Sequence, residues 1–283
     1  MLANPTMNKL LALSLTGMAS AFKEQLERAD YASLAFEDRL GLLVDREATE
    51  RENRRLERNL RAAKLRMDAS IEDLDLHSPR GLERAAVLAL ADAGWVASHQ
   101  NVLVVGPTGV GKTYVACALA HAALRRGHTA LYMRAPRMFT DLAIARADGR
   151  LPRVLASWAR IDVLCIDDLA LQPLTAAQGS DLLEVVEDRS QRRSTIVTSQ
   201  LPVSEWHGSL GDATIADAIL DRLVHNAHRI ELRGDSLRRS QTVAAERATP
   251  SATTGNAPKA TKTSVGQKSE ALRSPQQPSA RRA

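Results

Sequence analysis

Eight consecutive residues, Gly106, Pro107, Thr108, Gly109, Val110, Gly111, Lys112 and Thr113, constrain this chain more than any other stretch. They match G-x-x-x-x-G-K-[ST] without a mismatch. The four residues before them, 102–105, are an apolar β-branched run of the kind that fills a strand covered on both faces. The residues after them, 114–126, are amphipathic at helical spacing. Strand, glycine-rich turn and helix start therefore follow one another without a break. Small residues let successive backbone N–H groups turn inward around a phosphate, and the helix N-terminus adds partial positive charge. Lys112 is then placed to reach the β- and γ-phosphates of a nucleotide, and the Thr113 hydroxyl to bind magnesium. A plain strand–helix turn with three glycines is the alternative.

Further along, Ile161-Asp-Val-Leu-Cys-Ile-Asp167-Asp168 ends an apolar run on two carboxylates. Beside a phosphate loop the first acid, Asp167, belongs to the magnesium shell and Asp168 orients or deprotonates the attacking water. Without the loop, Asp-Asp simply caps a turn. The run Ser194-Thr-Ile-Val-Thr-Ser199 reads as another strand, whose polar end offers Ser199, or its neighbour Thr198, to the γ-phosphate or the water; serine also commonly just ends a strand. Arg222, in Asp221-Arg222-Leu223 near the end of a helix over 214–225, can enter a neighbouring subunit's phosphate site or pair with Asp221 or Asp217 on its own helix.

Strands at 102–105, 129–133, 161–166, 194–198 and 229–232 alternate with helices at 112–126, 136–147, 151–159, 175–190 and 214–225. That order indicates a parallel sheet flanked on both sides. Upstream, residues 7–67 are helical in pattern, with a break near 29–32. Leu10, Leu11, Leu15, Met18 and Phe22 form one apolar stripe, read as core. A lysine followed by an apolar run in this segment resembles a secretory leader. Ser14, Thr16 and Gly17 interrupt it, so it is read as a helix of the working protein. No run approaches the ~18 apolar residues of a membrane span.

Residues 51–66 carry Arg51, Arg54, Arg55, Arg58, Arg61, Lys64 and Arg66 against Glu52 and Glu57, opposite a stripe of Leu56, Leu60, Ala63 and Met67. Such a face either tracks a phosphate backbone or is a solvated surface with glutamate–arginine pairs. The acidic stretch 68–75 reads as a linker, after which Ser78-Pro79 starts a helix running to about Asp92. The division expected is a helical region 1–75, a nucleotide domain 76–242 and a tail 243–283.

The net charge of +5 sits entirely in that tail, where seven Lys/Arg face two Glu. The tail has too few large aliphatics to bury a core and is expected to be disordered. Basicity therefore does not argue for a DNA-binding globular domain. Cys117 and Cys165 match no disulfide framework or metal spacing and read as reduced core residues of a cytosolic chain.

Taken in order, GPTGVGKT, VLCIDDL, STIVTSQLPVSEWH and DAILDRLVHNAHRIEL followed by GDSLR resemble an IstB-like ATP-binding protein, the helper ATPase of an insertion-sequence transposition system. The likeness extends to LxLxGMAxxF and ENRRLERNLR near the start and covers about 7–239. The family belongs to the AAA+ initiator clade and is similar to DnaC-type helicase loaders.

The resemblance implies an α/β P-loop NTPase (AAA+) sheet with an N-terminal all-helical region. It implies ATP and Mg2+ as ligands, and a cytoplasmic homo-oligomer that assembles on duplex DNA and engages the transposase encoded with it. By the same resemblance Lys112 and Thr113 meet nucleotide and magnesium, Asp167 magnesium, Asp168 water, Ser199 is a sensor and Arg222 an arginine finger. The helices over 136–159, with Arg134, Arg137, Arg146, Arg150, Arg153 and Arg160 on or beside them, face DNA. Two features depart from the wider clade. Asp168 stands where many relatives have the longer glutamate, and little foldable sequence follows Leu232, so no separate helical lid is expected; Arg238 is the residue available to imitate the lid's sensor arginine. A helicase-loading adaptor is the alternative function, and a small-molecule kinase a third, which paired acids and Asp-Arg-Leu suit less well.

Overall fold

A computed structural model describes residues 5–78 and 80–236. The expectations for Pro79, Arg238 and the tail 243–283 lie outside the described residues.

Five strands, β1 (Asn101–Val105), β2 (Ala130–Arg134), β3 (Val163–Leu169), β4 (Ser194–Ser199) and β5 (Ala227–Glu231), form one sheet in the order β2-β3-β4-β1-β5. Every pairing is parallel, with Val102 beside Ile196 and Val104 beside both Thr198 and Ile230. The buried β1 run alternates between two cores. Val102 and Val104 face a cluster built with α6 (Lys112–Arg125), Val163, Cys165 and Ile196. Leu103 and Val105 face a second cluster with Leu164, Ile166 and Val197, built from α7 (Ala135–Ala147), α8 (Leu151–Ala159), α9 (Ala176–Arg189) and α10 (Ala213–Val224). A strand covered on both faces needs an unbroken apolar run, which is why β1 reads as it does. Both cysteines are free, buried, and in the α6-side core.

The N-terminal region carries three α-helices: α1 (Pro5–Ala12), α2 (Thr16–Glu27) and α3 (Phe36–Ala63). Helices α2 and α3 meet at Gly17, where a Cβ would lie 2.7 Å from Arg46 O and Glu47 Cα. No side chain of α2 caps its own N-terminus. Glu47 does so from α3, its Oε2 accepting from Gly17 N at 2.8 Å and Met18 N at 3.2 Å. The carboxylate thereby meets orphan helix donors and the positive end of the dipole. Arg51 binds the other oxygen at 2.7 Å and, with these N–H groups, holds Glu47 below the usual carboxylate range.

A lowered folded pKa means stability that is present above the unfolded value and lost as pH falls through the folded one. Glu47→Gln is therefore expected to melt below the parent at neutral pH. The gap should close on acidification through the lower carboxylate range, as thermal melts across pH would record.

The apolar stripe expected as core is only half covered. Leu10, Leu15, Met18 and Phe22 are half-buried and Leu11 is 52% exposed. Helix α1 buries none of its residues. It leans on α2 from one side, so the stripe has no second layer to enter.

The expected linker packs as well. Leu56 and Leu60 of α3, then Leu65, Ile71, Leu74 and Leu76, cover the α6-side core, with Ala63 and Ala69 inside it. Two further expectations are corrected. Ser78 does not start a helix: its hydroxyl and N–H bond to Asp75, closing a turn. The next helix, α4 (Arg84–Ala91), begins later and leads through α5 (Gly94–Ala97) to β1. Strand β3 continues to Leu169 rather than ending before its acids, with a register slip between Ile166 and Leu169.

Arg189, at the end of α9, is 1% exposed and was not singled out by the sequence. It donates to the carbonyls of Trp158, Ile161, Asp162 and Ser194 and to Thr195 Oγ1, riveting α8, β4 and the lead-in to β3 together. Burial, reinforced by nearby Arg193, pulls its pKa down to about 10. Arg189→Met keeps the stem but leaves buried carbonyls without partners. A loss of roughly 2–4 kcal/mol is expected, read as a melting point lower by roughly 5–15 °C. No helix among the described residues is long and apolar enough to cross a membrane.

Candidate nucleotide site

The loop between β1 and α6 is built from glycines where side chains do not fit. Gly106, Gly109 and Gly111 all have positive φ, and Gly111 at 102° stands at the N-cap of α6 with no side-chain cap. The helix's first N–H groups are left for a ligand or water. Lys112 is 6% exposed, and its Nζ donates to Gly106 O and Pro107 O, both at 2.7 Å. Burial pulls its pKa below the ordinary lysine value while Asp168 and Asp167 pull the other way. Pro107 and Val110 complete the loop, and Val110 is buried in the α6-side core.

Across from the loop, Asp167 is fully buried and collects donors from two strands and a helix. Thr113 Oγ1 lies 3.0 and 3.1 Å from its two oxygens, Thr198 Oγ1 donates to Oδ1 at 2.6 Å, and Tyr132 OH donates to Oδ2 at 2.5 Å. The Arg66 guanidinium stands 3.6 Å from Oδ2. Burial, with the Asp167 carboxylate next, pushes the Tyr132 phenol well above its usual range, so it stays a donor.

Asp168 has φ 59°, a left-handed conformation uncommon outside glycine and, less so, asparagine, aspartate and histidine. Its side chain accepts from Arg134 Nε at 3.3 Å and NH2 at 3.0 Å, and its N–H donates to Thr198 Oγ1 at 3.0 Å. The expected loop, Thr113, Asp167 and Asp168 thus converge. Arg66, Tyr114, Arg134, Leu171 and Gln200 join Thr108, Gly109, Gly111, Lys112, Thr113 and Asp168 around a cavity of 380 Å³, with Asp167 buried behind Thr113.

Two expected residues are not brought there. The Ser199 hydroxyl donates to Leu169 O at 2.8 Å and accepts from Leu201 N. Alternation along β4 decides this: Ile196 faces the α6 side and Val197 the other, so Thr198 meets Asp167 while Ser199 points to the opposite core. The next polar residue on the cavity wall is Gln200, whose Oε1 accepts from Thr108 at 2.7 Å. Arg222 lies on α10, where it pairs with Glu187 of α9 and donates to Ala218 O at 2.9 Å.

Arg66, Tyr132, Arg134 and Gln200 were not assigned to this site from sequence. No motif spacing ties them together: Tyr132 and Arg134 come from β2, Arg66 from the segment after α3 and Gln200 from just after β4.

The donor set fits a magnesium–nucleotide: a hydroxyl and a buried carboxylate for the cation, and N–H groups and an ammonium for phosphates. Fold and site define a P-loop nucleotide-binding α/β protein. The model of the IstB-like ATP binding protein family matches residues 8–245, and the chain belongs to that family. It is 51% identical over 241 residues to an insertion sequence ATP-binding protein of Sinorhizobium fredii, covering 85% of this chain and 98% of the relative. It is 46% identical over 215 residues to the ATP-binding protein of insertion sequence IS1162 from Pseudomonas fluorescens, covering 76% and 92%. The crystal structure of the DnaC helicase loader superposes with a TM-score of 0.50 at 20% identity, over 60% of this chain and all of that one. At that identity the likeness speaks for the fold.

Proposed function

We propose that this chain is the ATP-hydrolysing helper of an insertion-sequence transposition system, assembling as a homo-oligomer on duplex DNA and acting on the transposase encoded with it. The observation that carries the hydrolytic half is the convergence of Lys112, Thr113 and Asp168 on one cavity, with Asp167 bonded to Thr113 directly behind it. The names of the relatives support the transposition half.

In this reading the loop N–H groups and Lys112 bind the polyphosphate, Lys112 leaving its two carbonyls for phosphate oxygens. Magnesium, held by Thr113 and Asp167, would neutralise charge on the phosphates. Tyr132 and Thr198 fix the orientation of Asp167. Asp168 takes the proton of the attacking water, and it can do so only when Arg134 releases the carboxylate. That competition, and a side chain one methylene shorter than glutamate, make turnover slow. Gln200 replaces Ser199 as the polar group next to the reacting phosphate. Arg222 leaves Glu187 to enter a neighbouring subunit's site, where it stabilises charge on the transferring phosphoryl group.

DNA is assigned to α7 and α8. A cavity of 550 Å³ between them and the β2 edge is lined by Lys64, Arg134, Arg137 and Arg150 together with apolar residues. Arg153 and Arg160 are exposed nearby. Arg137 pairs with Asp141, Arg146 with Asp181 and Arg150 with Asp148, so phosphates would compete with these carboxylates. Helix α3 is the weaker candidate, because Arg51 and Arg54 are drawn to Glu47 and Arg61 to Glu57.

Phosphate release from ATP, measured with and without long duplex DNA, tests the proposal. Stimulation by about tenfold or more is expected; turnover indifferent to DNA contradicts it.

A further inference from the structure

The N-terminal helical region and the nucleotide cavity are joined by a single short segment, residues 64–67. Helix α3 ends at Ala63, and Lys64 turns the chain with φ 52°. Leu65 packs on the α6-side core. The backbone of Arg66 and Met67 lies beside the Cys117 thiol of α6, the helix that starts at Lys112. The Arg66 side chain is thereby directed into the cavity lined by Gly109, Gly111, Lys112 and Thr113.

Arg66 is not needed to satisfy Asp167, which already receives Thr113, Thr198 and Tyr132. Its contact with Oδ2 is long, at 3.6 Å, and its side chain is 41% exposed. As an arginine it is a permanent cation, half-free, at the edge of a polyphosphate site. A divalent cation beside Asp167 repels a guanidinium placed there, while phosphate oxygens match its planar fork.

We propose that Arg66 is a phosphate-reading arginine, delivered in cis by the end of α3, that passes from Asp167 to the terminal phosphate of a bound nucleoside triphosphate and so couples the N-terminal helices to the nucleotide. The inference rests on the ATP reading above. Because residues 64–67 are anchored to α6 and continuous with α3, the shift of Arg66 changes how the last turns of α3 sit on α6 and β2. A diphosphate lacks the outer group and leaves Arg66 where it is.

The test compares the full-length parent with Arg66→Ala and Arg66→Lys, using a fluorescent non-hydrolysable ATP analogue and fluorescent ADP, each with magnesium. Hydrogen exchange over residues 56–67 is followed in the same samples. The parent is expected to bind both nucleotides and to gain protection over 56–67 with the triphosphate alone. Arg66→Ala should bind the triphosphate about tenfold more weakly, the usual scale for one charge-assisted contact, hold ADP within about twofold, and lose the protection. Arg66→Lys keeps the charge without the fork and should fall between. A melting point close to the parent's establishes that Arg66→Ala is folded. Equal affinity and equal protection in Arg66→Ala and parent would overturn the inference while leaving the ATP reading intact. Equal weakening for both nucleotides would also overturn it. A parent that binds neither nucleotide would overturn both.

Discussion

Lys112→Ala is expected to abolish nucleotide binding while leaving the sheet folded. The ammonium is the one group of the loop that carries a full positive charge, and its loss removes charge-assisted bonds to phosphate worth ~1.5–3 kcal/mol each. With more than one such bond, affinity for ATP should fall by about 100-fold or more. The fold tolerates the change because the carbonyls Lys112 occupies belong to half-buried Gly106 and exposed Pro107, where water can replace the ammonium. Isothermal titration with ATP–magnesium, beside a circular-dichroism melt, separates the two effects. A variant that still bound ATP within a few-fold of the parent would remove the loop from the account.

Arg222→Ala should be nearly silent in the isolated subunit and severe in the assembly. The pair it forms with Glu187 is partly exposed, 27% and 55%, so its loss costs at most about 1 kcal/mol. Asn101 bonds to the backbone carbonyls of Arg222 and Leu223, and those contacts survive the substitution. An arginine acting across a subunit boundary is worth about 10³-fold in turnover. Hydrolysis on duplex DNA should fall on that scale, with ATP affinity unchanged. Mixing the variant with Lys112→Ala should restore part of the activity, because each supplies what the other lacks. Full activity of Arg222→Ala on DNA would return Arg222 to its role as a surface ion pair.

The sheet and the phosphate loop were legible because their signals are local. A strand buried on both faces must be apolar throughout, and a loop that cradles phosphate must be small at fixed positions. The order of strands and helices then followed the alternation of apolar runs. Ser199 and Thr198 were harder to separate. They are adjacent on β4, and which one faces Asp167 depends on the phase of the strand against α6. Arg66, Arg134 and Gln200 reach the cavity from three separate segments, and Tyr132 of β2 holds Asp167 behind it, so only the assembled fold places them together. The stripe on α1 and α2 misled for a related reason. Periodicity identifies an apolar face but does not say whether a second layer covers it, and α1 buries none of its residues. Arg189 carries no motif and an ordinary helix-terminal sequence context, and its five hydrogen bonds arise where α8, β4 and the lead-in to β3 meet.

Sizing of the purified protein with and without long duplex DNA, in ATP–magnesium and in ADP, tests the central claim most directly. Large particles that form only with ATP and duplex together, and are lost in Lys112→Ala, are the predicted result. A protein that stays the same size on duplex in every nucleotide state would contradict a DNA-assembled ATPase.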